Sequence, residues 1–94
     1  MEQSKFIFTG ILLEDDPSIS ALCLEVDVAS DGETIEEAKK NLIEAVSLYI
    51  ESAVENNLPV LRPVSKDENP LLIEPDKVIE KFMLKINFIV SAYA

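Results

Sequence analysis

From Lys5 to Leu13 the chain is apolar at most positions, with Phe6, Phe8, Gly10 and Leu12 on one face of an extended strand and Ile7, Thr9, Ile11 and Leu13 on the other. Strand side chains point alternately to two faces, so a strand apolar on both needs cover on both. One helix covers one face of so small a sheet. The other face calls for a second subunit, which predicts a dimer or tetramer. Glu14-Asp15-Asp16-Pro17-Ser18 is a polar turn, and Pro17 breaks the strand. A second strand follows from Ile19 to Val28. In it Leu22, Leu24, Val26 and Val28 alternate with Ala21, Cys23, Glu25 and Asp27, a half-buried pattern. A short third strand near Ala29 and Ser30 leads into a tight turn.

Gly32 is expected to supply the positive φ of that turn. Thr34 then stands as N-cap, and Glu37, three residues on, completes a capping box. Glu36 and Glu37 face the positive end of the helix dipole. From Ile35 to about Glu55 the apolar residues Ile35, Ala38, Leu42, Ala45, Val46, Tyr49 and Ala53 recur at steps of three and four, which makes one helical stripe. Asn56-Asn57 and Pro59 end it. Pro59, Pro63, Pro70 and Pro75 cut residues 58–76 into short extended pieces. The last run, Glu80 to Ala92, fits two templates. Phe82, Leu84, Ile86, Phe88 and Val90 alternate as a strand, while Val78, Ile79, Phe82, Met83, Ile86 and Ile89 fit a helix. Enrichment in Ile, Val and Phe favours the strand. A strand of that length is free to project and pair with another chain. The order β-β-β-α-β predicts an α+β domain: an antiparallel sheet of three to four strands with one long helix packed on a face. One domain spans 1–94, with a core over 5–57, a proline-rich connection over 58–76 and a C-terminal strand over 80–92.

Charge narrows the choice of partner. The formal net charge is −10. Residues 1–37 hold ten acids against Lys5, whereas the rest hold eight acids and seven bases. Nucleic-acid binders displace counterions from phosphates with cationic surface, so direct nucleic-acid binding is not expected. An acidic half suits a basic protein partner, whose approach it steers. Ordinary solubilising surface is the plain alternative. The candidate contacts are Asp15, Asp16, Glu25, Asp27, Asp31 and Glu33.

Candidates for chemistry are few. The chain has no histidine, and its two glycines, Gly10 and Gly32, make no phosphate-binding loop. Cys23 lacks a cationic sequence neighbour and reads as a small buried hydrophobe. Glu25 and Asp27, two apart on one strand face, have the geometry to share Mg²⁺, but strand alternation alone also explains them. No catalytic residue, metal or cofactor is expected. No apolar run approaches the ~18 residues of a membrane span, and the N-terminus lacks a signal-peptide pattern. A cytoplasmic location is expected.

A more specific pattern runs through residues 8–51. It comprises Phe-Thr-Gly-Ile at 8–11, then Ala21, Cys23, Glu25 and Asp27, then Ala29-Ser30-Asp31-Gly32-Glu33-Thr34-Ile35-Glu36-Glu37-Ala38. Asn41-Leu42, Glu44-Ala45 and Leu48-Tyr49-Ile50-Glu51 complete it. This resembles the HicB-like antitoxin family, in its short form without an appended DNA-binding domain. The resemblance implies a three-stranded sheet, a helix and a further strand, a reduced relative of the ribonuclease H and double-stranded-RNA-binding topologies. It also implies a function by contact. HicB-like antitoxins block HicA toxins, small basic proteins that cleave messenger RNA using a histidine, by covering their RNA-facing surface. Leu24 stands where the family often has proline. Arg62, Lys66, Lys77, Lys81 and Lys85 lie in a tail broken by prolines with no two-helix DNA-recognition pattern. Two other readings stay open: an orphan self-associating protein of the same fold, and a carboxylate-based Mg²⁺-dependent nuclease.

Overall fold

The computed structural model describes residues 2–90, with side chains described over 6–86. Its elements are β1 (Glu2–Asp15), β2 (Ser18–Cys23), β3 (Val28–Gly32), α1 (Ile35–Glu55), α2 (Pro70–Ile73), a 3-10 turn at Pro75–Lys77 and β4 (Val78–Val90). The strands form one antiparallel sheet in the order β3-β2-β1-β4. With α1 packed on one face, this is the α+β arrangement that the pattern predicts. Residues 78–90 are a strand, which decides between the two templates for that run. Residues 91 and 92 of the expected strand lie outside the described residues.

The helix begins and ends as its sequence signals require. Thr34 is extended (φ −127°, ψ 165°), and its Oγ1 accepts the Glu37 N–H at 3.1 Å. Glu37 Oε1 reaches back to the N–H of Glu33 at 3.2 Å, one residue earlier than a standard capping box. At the other end Asn57 takes the left-handed conformation (φ 56°). The Asn57 N–H donates to Val54 O and the Leu58 N–H to Ala53 O, the paired bonds of a Schellman cap. The buried stripe is Ala38, Leu42, Val46, Ile50 and Ala53. Ile50 joins the expected stripe, while Tyr49, which the pattern includes, sits at the rim with Arg62 over its ring at 5.3 Å.

Under α1 lie Phe8, Leu12, Ala21, Cys23, Leu84 and Ile86 from the sheet, with Val26 from the turn after β2. Each large side chain withdrawn from water there contributes about 2 kcal/mol. The phase of β2 is opposite to the expected one. Ala21 and Cys23 face the helix fully buried, and Leu22 points to the other face. β2 also stops at Cys23, and residues 24–27 form a turn, so the expected strand to Val28 is two strands joined by a hairpin. Apolar alternation persists through that turn because Val26 folds back into the core, which hides the break.

Gly32 does not serve the turn through positive φ; that conformation falls to Asp27 (φ 50°) and Asn57. Gly32 is needed for space. A Cβ there would lie 2.5 Å from the backbone N of Ala38 and 2.9 Å from its Cα. Gly10 meets side chains instead: its Cβ would lie 2.5 Å from Phe82 Cζ and 2.6 Å from Leu84 Cδ1.

The second face of β1 is covered by the chain itself along part of its length. Ile11 is fully buried yet lies outside the cluster under α1. The connection 58–77 touches β1 through the 3-10 turn and holds Pro70 buried. It is also less extended than expected, since Asn69 Oδ1 accepts the Leu71 N–H and caps α2. Ile11 therefore needs no second subunit. Ile7 (57% exposed) and Met83 (62%) on the same face remain open.

Burial pushes the Cys23 thiol up to about 11 from 9.0. An unfolded chain loses that proton first, so the contribution to stability is complete below pH 9.0 and is lost as pH rises towards 11. Native protein at neutral pH is expected to leave Cys23 unmodified by a thiol reagent, with full reaction in denaturant. Urea melts of Cys23→Ala are expected to show less alkaline loss of stability than wild type.

Candidate functional site

The sheet register sorts the six candidate acids into two groups. Asp15 pairs with Ser18 and closes the β1–β2 hairpin over Asp16 and Pro17, which are joined by a cis peptide bond. Ile19 pairs with Glu14 on one side and Gly32 on the other, and Ser20 pairs with Asp31. The hairpin and the β3–α1 turn therefore share one end of the sheet. Asp15, Asp16, Asp31 and Glu33 meet there, all exposed, together with Glu14 and the first-turn acids Glu36 and Glu37.

Two carboxylates at this end help to shape it. Asp15 Oδ2 accepts the Ser20 hydroxyl at 2.9 Å, and Glu37 belongs to the helix cap. Asn41 Nδ2 donates to Asp31 O at 2.8 Å, tying the second turn of α1 to the end of β3. Nearby bases are largely matched. Lys39 Nζ sits 2.6 Å from Glu80 Oε2 and 5.0 Å from the Phe82 ring centre, and Lys77 lies 3.5 Å from Glu74. Lys40 stands one turn from Glu36. No ion pair among the described residues involves Asp15, Asp16, Asp31 or Glu33.

Glu25 and Asp27 belong elsewhere. They sit in the β2–β3 turn, at the opposite end of these two strands, and do not share a strand face. Glu25 is used internally. Where β2 leaves β1, the Thr9 N–H donates to Glu25 Oε1 at 2.7 Å and the Thr9 hydroxyl to Oε2 at 2.9 Å. The carboxylate thus stands in for the missing strand neighbour. Beside it, Leu24 N–H donates to Thr9 O, and the connection joins on through Arg62 N–H to Glu25 O and Val64 N–H to Leu24 O. Removing this clamp leaves a half-buried donor unpaired. Glu25→Ala is expected to cost about 2 kcal/mol. Asp27→Asn keeps an exposed residue that tolerates positive φ, and it is expected to stay within about 0.5 kcal/mol of wild type. Urea denaturation of the two variants measures the contrast.

Among the surface depressions are two shallow ones. One, of about 260 Å³, is lined by Ile7, Phe8, Thr9, Lys81, Phe82 and Met83. The other, of about 290 Å³, is lined by Tyr49, Leu58, Pro59, Leu61 and Arg62. Neither lining contains a carboxylate. Among the described residues no group of three or more His, Cys, Asp or Glu is placed to hold a metal ion. No described helix is long and apolar enough to cross a membrane. No protein-family model matches the chain, and no curated protein does.

Proposed function

We propose that this chain is a non-enzymatic binding module that neutralises a basic protein of the HicA type by covering its RNA-binding surface. The observation that carries the reading is the gathering of Asp15, Asp16, Asp31 and Glu33, with Glu14, Glu36 and Glu37, at one end of the sheet. A cationic surface built to hold RNA phosphates is complementary to such an end for the same electrostatic reason that it binds RNA. The short rigid supports favour docking without large rearrangement: a two-residue hairpin, a glycine-packed turn and a capped helix. The pattern at residues 29–38, on which the family resemblance rests, forms the β3–α1 corner of this end.

The nuclease reading loses its best carboxylate pair, because Glu25 is engaged with Thr9 and Asp27 sits in the β2–β3 turn at positive φ instead of beside Glu25 on a strand face. The test is reconstitution with a histidine-containing HicA-type toxin of basic charge. The expected result is a stoichiometric complex at low salt in which messenger-RNA cleavage stops. Undiminished cleavage in the presence of excess protein refutes the proposal.

A further inference from the structure

We propose that the free edge of β4 is a self-association surface, which pairs antiparallel with β4 of a second copy about Leu84. The direction of the backbone groups follows from Thr9. Its N–H goes to Glu25 and its C=O accepts from Leu24, both on the β2 side. Thr9 is the register partner of Met83, so these two form a pair without mutual hydrogen bonds across β1 and β4. The N–H and C=O of Met83 therefore point away from β1. By alternation the same holds for Lys81 and Lys85. β4 is the last strand in the sheet order, and among the described residues nothing pairs with this edge.

The two edges of the sheet differ. β3 is five residues long and carries Asp31, which suits a guarded edge. β4 is thirteen residues long, contains no proline and shows one irregularity, near its start, opposite Leu12/Leu13. It is also the one strand with a positive balance, Lys81 and Lys85 against Glu80. Two molecules of net charge −10 approach each other most easily there.

Sheet faces are preserved only in registers that set odd residues opposite odd ones. A pairing centred on Met83 puts Lys81 opposite the second copy's Lys85 twice over, which is repulsive. Centring on Leu84 sets Lys85 opposite Met83 and Lys81 opposite Asn87. Because Leu84 is the midpoint of Val78–Val90, this register also overlaps the two strands along their whole length, with the irregularity near Val78 falling at the ends of the pairing. The two-fold axis sends the acidic ends to opposite extremities of the dimer. They stay separate and free for partners.

Met83→Pro tests the edge without touching the β1–β4 ladder, because the lost N–H faces outward. Wild-type protein at micromolar concentration is expected to sediment as two chains. Met83→Pro is expected to sediment as one chain, with unchanged far-ultraviolet circular dichroism. If the proline variant loses its fold, cysteine pairs give the readout. Mild oxidation is expected to cross-link Met83→Cys/Lys85→Cys between chains and to leave Met83→Cys alone uncross-linked. Single-chain wild type, a folded Met83→Pro dimer, or equal cross-linking of the two cysteine variants overturns the proposal.

Discussion

Changing Asp15, Asp16, Asp31 and Glu33 together to lysine is expected to weaken capture of a HicA-type toxin by about 100-fold or more. Each reversal replaces an attraction with a repulsion across the same gap. About 3 kcal/mol in total needs less than 1 kcal/mol from each site. The four residues are exposed and free of ion pairs among the described residues, so their reversal leaves the folded core untouched. The equivalent double reversal at Glu25 and Asp27 serves as contrast. It is expected to destabilise the fold through the Thr9 clamp, with little effect on affinity for whatever fraction stays folded. Isothermal titration of both variants, each checked for folding, separates a docking end from a merely acidic surface.

The second large effect is on stability. Gly32→Ala is expected to cost about 3 kcal/mol and to lower the melting temperature by roughly 15 °C. The added methyl meets the backbone of Ala38 at 2.5 Å, and that backbone is held by the Thr34 cap on one side and the Asn41–Asp31 bond on the other. A helix so fixed cannot shift without loosening Ala38 and Leu42 from the core. Gly10→Ala meets only the ends of the Phe82 and Leu84 side chains, and it is expected to cost about 1 kcal/mol. Thermal melts of the two variants rank backbone conflict against side-chain conflict. Equal costs would refute this account of Gly32.

What could be read from the chain beforehand follows from how local each signal is. The helix was legible at both ends, since Thr34, Glu37, Asn56 and Asn57 act within a few residues of their targets. The strand character of residues 78–90 was legible from β-branched and aromatic enrichment. The β2–β3 turn was not, because Val26 continues the apolar alternation while serving the core from a turn. Nor was the part played by Glu25, whose partner Thr9 is sixteen residues away and becomes a neighbour only once β2 diverges. Local pattern placed all six acids on one acidic half. Long-range register then divided them, four at the hairpin end and two at the β2–β3 turn. The need for cover on the second face of β1 was legible too. That part of it comes from within the chain, over Ile11, depends on packing between distant elements that local pattern does not carry.

The salt dependence of toxin binding tests the electrostatic docking of the acidic end most directly. Dissociation constants measured from low to high ionic strength are expected to rise by at least about tenfold for the wild type and to rise clearly less once Asp15, Asp16, Asp31 and Glu33 are neutralised to Asn and Gln. Tight binding that ignores both salt and those four substitutions contradicts the account.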